Sequence, residues 1–93
     1  MLFRSNIDLK TGIDVINGSS GRCLMTMERI PKEVITEAYN YGFKLGLMKK
    51  DVVTALNIIG KDNKMFNNIE KIMETAVEKM GYDADYTKVS KLF

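Results

Sequence analysis

The sequence predicts a small α+β protein that is mainly α, and three observations support this fold class. A chain of 93 residues suits a single domain with one core. Apolar residues recur at helical spacing between Pro31 and Gly81 and break at Gly60. The earlier residues alternate instead, as in strands. We therefore expect one domain, with residues 1–30 as a β-hairpin or extended arm, 31–81 as a core of three helices and 82–93 as a short C-terminal helix.

Composition narrows the classes of protein that are possible. Hydrophobic residues make up 45% and charged residues 28% of the chain, as in folded proteins. No apolar run reaches the roughly 20 residues that span a bilayer, and no signal-peptide core follows Met1. Cys23 is the only cysteine, which suits a reducing compartment. We expect a cytoplasmic protein with no membrane partner.

The side-chain inventory argues against catalysis. Histidine is absent, which removes Ser-His-Asp triads and Cys/His zinc sites. Cys23 has no imidazole to activate it, and Asp8 and Asp14 on a hairpin are more simply solvated than catalytic. We expect no enzymatic activity, no catalytic residue, no metal and no cofactor.

The N-terminal arm is predicted from an alternation of apolar residues around a turn at 10–12. These residues are Ile7, Leu9, Ile13 and Val15. A second candidate strand runs from Arg22 to Glu28. Because an isolated two-stranded ribbon is unstable in water, the arm must pack on the helices or on another copy.

A loop rich in serine and glycine, residues 17–22, separates these two pieces. Its backbone N–H groups and one guanidinium suit a phosphate, and the candidate ligands are Ser19, Ser20, Gly21 and Arg22. The loop lacks the terminal Lys-Ser/Thr pair of a P-loop, so no nucleotide triphosphatase is implied. The alternative is a solvated connector between elements.

The first helix of the core is predicted to begin at Pro31, where a missing N–H costs nothing. Ala38, Gly42 and Gly46 follow at four-residue steps, and such a stripe allows close packing of another backbone. Alternatively, the helix ends near Gly42. A second helix, from about Lys49 to Ile59, is apolar on most sides, which favours a homo-oligomer. The expected oligomer contacts are Ala38, Gly42, Val53 and Leu56.

The third helix has the clearest pattern. Asp62 or Asn63 is the expected N-cap, and the helix is expected to stop at Gly81, with Gly60 as the left-handed C-cap of the helix before it. The short last helix is expected to follow a cap at Asp83 or Asp85.

Basic residues lie near the turns that join these helices, although the whole chain has only 14 basic residues against 12 acidic ones. The candidate contacts to nucleic acid are Lys49, Lys50, Lys61, Lys64 and Asn67. Lysine-rich helix ends are also ordinary solubilising surface.

Part of this region resembles a known family. Lys50-Asp51-Val52, Ala55, Gly60, Asp62 and Lys64-Met65-Phe66-Asn67 are similar to a helical hairpin in the small double-stranded-DNA-binding protein of T-even-type phages. The resemblance covers about Lys50 to Met73 and requires a gap. It implies a phage-encoded protein that acts in the cytoplasm of a host cell.

The favoured function is therefore a non-enzymatic, phage-type accessory or inhibitory protein that binds a host or viral macromolecule as a homo-oligomer. One alternative is a DNA-binding protein that uses the basic helix joints. A second is a nucleotide- or phosphate-sequestering protein that uses the Ser/Gly/Arg loop.

Overall fold

The computed structural model describes residues 5–93, which form helices and contain no strand. The elements are α1 (Leu9–Asn17), a π-helix (Met25–Ile35), α2 (Leu45–Ile59), α3 (Lys64–Met80) and a 3-10 helix (Tyr86–Leu92). The chain divides into two compact units, Met1–Asn40 and Tyr41–Phe93. The prediction of a mainly helical protein is confirmed, whereas the predicted β component is wrong. No helix between residues 5 and 93 is long and apolar enough to cross a membrane.

The predicted hairpin is replaced by α1. Leu9 and Ile13 are buried one turn apart, and Ile16 packs against the same core. These three positions follow the helical period, whereas Ile7 and Val15, which completed the apparent alternation, are exposed. The alternation of apolar residues at 7–15 is therefore coincidental, and the residues that face the core follow the period of a helix.

The start of α1 has a local cause in the sequence. The Asp8 carboxylate accepts hydrogen bonds from the Thr11 backbone N–H at 3.1 Å and from the Thr11 hydroxyl at 3.2 Å. Such a bond pairs one of the N–H groups that every helix leaves open at its first turn. Asp8 thus caps a helix and is not one of two carboxylates facing each other across a hairpin.

The π-helix overlaps the predicted strand at 22–28 from Met25 onward and contains the predicted helix start at Pro31, so both predictions are wrong. In an α-helix, an internal proline leaves the carbonyl four residues earlier unpaired and clashes with it. The wider π turn pairs residues five apart and moves that carbonyl away from the ring. A helix can therefore pass through Pro31 instead of starting there.

The predicted first helix does not continue beyond Ile35. Glu37, Tyr39 and Gly42 have positive φ angles of 57°, 46° and 103°, which a right-handed helix does not allow. The helical stripe through Ala38, Gly42 and Gly46 is consequently not formed. The alternative reading, in which the helix ends before Gly42, is closer to the structure.

The first unit has a small core with one buried ion pair at its edge. The core residues are Leu9, Ile13, Val34 and Tyr39. Glu33 is only 7% exposed, and its carboxylate lies 3.8 Å from the Arg29 guanidinium. The same carboxylate accepts the Asn40 N–H at 3.1 Å, and the Glu33 carbonyl accepts the Tyr39 N–H at 3.1 Å. These bonds to Glu33 therefore fix the path of the chain where it turns back after the π-helix.

In the second unit, α2 and α3 pack against each other across the bend at Gly60, as predicted. The Asn63 side chain accepts the Phe66 N–H at 3.1 Å and is the N-cap. α3 ends at Met80, before Gly81. Gly60 has a positive φ of 100°, but its ψ of 146° lies outside the left-handed helical region. The helix boundaries at 60–64 and 80–81 are thus confirmed, while α2 begins at Leu45 instead of Lys49.

The start of α2 is joined to the segment that follows α3. The Leu45 N–H donates to the Ala84 carbonyl at 2.7 Å, and the Tyr86 N–H donates to the Phe43 carbonyl at 2.8 Å. Asp85 caps the 3-10 helix by accepting the Thr87 N–H, and it also accepts the Gly42 N–H at 2.7 Å. These bonds close the second unit into one packed body.

Candidate functional site

The Ser/Gly/Arg loop connects α1 to the π-helix and is anchored at both ends. The Asn17 side-chain amide donates to the Thr26 carbonyl at 2.9 Å, which joins the end of α1 to the first turn of the π-helix. The Gly18 N–H donates to the Asp14 carbonyl at 3.0 Å. The Ser19 hydroxyl donates to the carbonyls of Val15 and Ile16, both at 3.0 Å. The Ser19 hydroxyl is therefore already hydrogen-bonded to carbonyls at the C-terminal end of α1.

The next three residues present donors with no partner. Within residues 5–93, the backbone N–H groups of Ser20, Gly21 and Arg22 form no hydrogen bond, and the Arg22 guanidinium forms no ion pair. All three residues are exposed. A run of open N–H groups beside a planar guanidinium is a donor set that suits phosphate oxygens. The structure thus brings together three of the four predicted phosphate ligands.

Gly21 has a packing reason for lacking a side chain. A Cβ at this position would lie 3.1 Å from Ile16 Cγ2. A side chain at this position would require the Ile16 side chain or the loop to shift by a few tenths of an ångström, so glycine suits the close approach of the loop to α1.

Cys23 follows the loop and is exposed. A backbone hydrogen bond from Thr26, followed by one from the Thr26 hydroxyl, lowers the pKa of the Cys23 thiol below its ordinary value. In return, the Cys23 N–H donates to the Thr26 hydroxyl oxygen at 2.8 Å. These contacts lie at the first turn of the π-helix. They do not involve the Arg22 guanidinium, and Arg22 is exposed.

The four predicted nucleic-acid lysines lie at two ends of α2. Lys49 and Lys50 are in its first half, whereas Lys61 and Lys64 flank the turn into α3. Nine residues separate Lys50 from Ile59, which is about 14 Å at a rise of roughly 1.5 Å per residue. The structure therefore does not gather these side chains into one patch. Lys49 is also half-buried.

Asn67, the fifth predicted contact to nucleic acid, has a local role. Its side-chain amide donates to the Lys61 carbonyl and ties the turn to the first turns of α3. The predicted oligomer contacts lie in different local settings. Ala38 and Gly42 lie in irregular backbone, Val53 is half-buried on α2, and Leu56 is only 1% exposed inside its own unit.

One cavity was not anticipated from the sequence. It has a volume of about 270 Å³ and lies between α3 and the end of the 3-10 helix. Lys71, Thr75 and Lys79 line it on the α3 side. Their four-residue spacing is visible in the sequence, but the neighbouring glutamates give this part of α3 the mixed charge of an ordinary solvated helix face.

Comparison with known proteins gives one result. A family model described as NAD-binding of NADP-dependent 3-hydroxyisobutyrate dehydrogenase matches residues 1–93. A search of curated proteins finds no match. The match spans the whole chain, whereas the phage resemblance covers only about Lys50 to Met73.

The family match overturns the functional predictions made from the sequence. The resemblance to a phage double-stranded-DNA-binding protein is wrong, because the matching family is that of a dehydrogenase domain. The phage accessory function and the DNA-binding alternative are wrong for the same reason, as is the prediction of a non-enzymatic protein. The nucleotide-binding alternative agrees best with the finding. The chain belongs to the NAD-binding family of NADP-dependent 3-hydroxyisobutyrate dehydrogenases.

Proposed function

We propose that this chain contributes phosphate-binding groups to the NADP site of a hydroxy-acid dehydrogenase. The observation that carries the proposal is the set of unpaired donors at Ser20, Gly21 and Arg22. The family match over residues 1–93 supplies the class of ligand. The nicotinamide ring of NADP supplies the hydride chemistry when the cofactor is bound.

The donor set fits the anionic part of the cofactor. Arginine offers planar, paired N–H donors that match phosphate oxygens, and it commonly accommodates the 2′-phosphate that distinguishes NADP from NAD. A hydrogen bond to a charged group is worth about 1.5–3 kcal/mol, more than a neutral one. We therefore assign the guanidinium of Arg22 to a phosphate group, with the open N–H groups of Ser20 and Gly21 beside it.

The anchoring of the loop supports the same assignment. Asn17 ties its entry to Thr26, and Ser19 is hydrogen-bonded to the end of α1. A loop held at both ends loses little conformational entropy when a ligand binds, which favours affinity. The loop is thus closer to a prepared anion site than to a free connector.

Calorimetric titration of the protein with NADP⁺ tests this function. Arg22→Ala should weaken NADP⁺ binding by about tenfold or more, equivalent to roughly 1.4 kcal/mol. NAD⁺ should bind more weakly than NADP⁺ to the unchanged protein, and Arg22→Ala should narrow that difference. Raised salt should weaken NADP⁺ binding, because the contact is ionic and exposed.

Lys10→Ala is the matched control, since Lys10 is an exposed cation of the same unit that already pairs with Asp14 at 3.0 Å. Its NADP⁺ affinity should equal that of the unchanged protein. Lys50→Ala and Lys61→Ala show whether cations at either end of α2 add to the same binding. Absence of NADP⁺ binding at millimolar concentration, or an Arg22→Ala variant with full affinity, would overturn the assignment.

A further inference from the structure

The cavity between α3 and the 3-10 helix has two chemically different walls. Two cations one turn on either side of a hydroxyl form the first, contributed by Lys71, Thr75 and Lys79. The second is apolar and consists of Ile72, Leu92 and Phe93. Side chains four residues apart on a helix lie on the same face, so these three side chains form one wall of the opening.

The polar groups of this cavity are unpaired. Within residues 5–93, neither Lys71 nor Lys79 forms an ion pair or a side-chain hydrogen bond, although Glu74 and Glu78 lie on the same helix. Other lysines do find carboxylates: Lys10 pairs with Asp14, and Lys44 pairs with Asp83 at 3.0 Å. Neither ammonium group at the cavity is therefore held in an ion pair within the described residues.

Thr75 differs from the other threonines that lie in or end a helix. The Thr54 hydroxyl donates to the carbonyl four residues earlier at 3.0 Å, and the Thr36 hydroxyl also bonds to the carbonyl four residues earlier. This back-bonding is usual for a helical threonine. The Thr75 hydroxyl has no hydrogen bond in the described chain and lines the cavity instead, where it is available to a ligand.

We propose that this cavity is a binding site for a small amphiphilic anion, a phosphate or carboxylate carried on an aromatic or branched apolar group. The anionic group sits between Lys71 and Lys79 and accepts the Thr75 hydroxyl, while the apolar group packs on Phe93 and its two apolar neighbours. Phe93 is 74% exposed, so covering its ring removes apolar surface from water.

The size and charge of the cavity support this ligand class. A volume of about 270 Å³ is just below the usual range of roughly 300–1,000 Å³ for ligand sites, so it suits a single ring with one charged group. Two cations and one hydroxyl select against a cationic or neutral ligand. The site uses no residue of the Ser20–Arg22 loop, so its test does not depend on the outcome of the NADP⁺ titration.

Nuclear magnetic resonance titration of the ¹⁵N-labelled protein tests the site with four probes. These are phenyl phosphate, benzoate, benzyl alcohol and inorganic phosphate. The two aromatic anions should shift the amides of residues 71–79 and 91–93 and bind at least tenfold more tightly than the alcohol or inorganic phosphate. The ratio between phenyl phosphate and benzoate then identifies the preferred anionic group.

Variants separate the two walls of the site. Lys71→Gln and Lys79→Gln should each weaken phenyl phosphate binding at least fivefold, and Phe93→Ala should bring phenyl phosphate close to inorganic phosphate. Thr75→Val keeps the shape but removes the hydroxyl and should also weaken binding. Lys64→Gln, an exposed lysine near the other end of α3, is the matched control and should change nothing.

Three results would overturn the proposal. One is the absence of amide shifts at millimolar phenyl phosphate. Another is equal affinity for phenyl phosphate and benzyl alcohol. The third is an equal loss of affinity in the Lys64→Gln control and in the Lys71→Gln variant. Because glutamine is also a good helix former, failure of a variant to fold is not expected, and circular dichroism of each variant verifies this.

Discussion

At the scale of single residues, Gly46 shows how packing decides what a position tolerates. The residue lies in the first turn of α2 beneath the ring of Tyr82, and its N–H donates to the Tyr82 carbonyl at 2.9 Å. A Cβ at Gly46 would lie 1.9 Å from Tyr82 Cδ2 and 2.3 Å from Tyr82 Cγ. The clash reaches the base of the ring, so the whole side chain would have to move.

Gly46→Ala should therefore lower the free energy of unfolding by about 1–3 kcal/mol, as overpacking usually does. Denaturant unfolding followed by circular dichroism measures this loss. Gly18→Ala is the control, because its Cβ would meet nothing closer than 3.5 Å and its φ is −80°. The control should be neutral or more stable by up to about 1 kcal/mol. A Gly46→Ala variant as stable as the unchanged protein would show that the Tyr82 ring can move away from Gly46 without a loss of stability.

Asp85 is the second informative residue, because its carboxylate links two segments of the second unit. Burial raises the pKa of Asp85, but hydrogen bonds from the Thr87 side chain and from the Gly42, Thr87 and Phe43 backbone outweigh it. The net pKa is therefore below the ordinary value of an aspartate. A folded-state pKa below the unfolded one means that the carboxylate stabilises the fold when it is ionised.

The stabilisation by Asp85 should be complete above the ordinary aspartate pKa of about 3.9 and should be lost as pH falls through the lower folded-state pKa. Asp85→Asn should remove this part of the acid sensitivity, which denaturant midpoints between about pH 2.5 and pH 6 would reveal. The effect should be modest, since Asp85 is largely solvated and screened. Asp62→Asn is the control, because Asp62 is exposed and forms no side-chain bond. An Asp85→Asn profile parallel to that of the unchanged protein contradicts this account.

At the scale of elements, the helices differ in how much of their structure is locally encoded. The boundary between α2 and α3 was predictable, because Gly60 takes a positive φ and Asn63 caps the next helix within three residues. The π-helix was not, since Pro31 normally marks a helix start and no local pattern announces a wider turn. α1 was missed because a helical face of three residues coexisted with an accidental alternation.

The N-cap of α3 allows a quantitative test of the helix boundary that the sequence predicts at Asn63. Asn63→Ala should cost about 1 kcal/mol of stability, because the Phe66 N–H loses its partner. Thermal unfolding measures the change. Asn68→Ala serves as the control, since Asn68 is exposed inside α3 and forms no side-chain hydrogen bond. Equal stability of the two variants would show that the cap contributes nothing.

At the scale of the whole molecule, the family match overturns two functional predictions. The phage-type function relied on a partial resemblance over about Lys50 to Met73, and the DNA-binding alternative relied on counts of charged residues near helix ends. Lys50 and Lys61 both count as basic residues near helix ends, yet most of the length of α2 separates them. The phosphate hypothesis rested instead on contiguous residues, 19–22, whose proximity needs no tertiary structure. It is accordingly the reading that agrees with the family match. The predicted homo-oligomer stays a prediction, and light scattering at tens of micromolar protein measures it.

The sequence by itself determined a mainly helical chain, the paired helices across Gly60 and the stop at Gly81. These features depend on caps, glycine conformations and periodicity within a few residues of each other. Only the tertiary structure decided the π-helix, the return held by Glu33 and the cavity beside Phe93. The cavity requires α3 to pack against the last residues of the chain, and such packing is a property of the folded molecule. The π-helix and the bonds from Glu33 to Tyr39 and Asn40 are closer in sequence, but no cap or apolar period announces them.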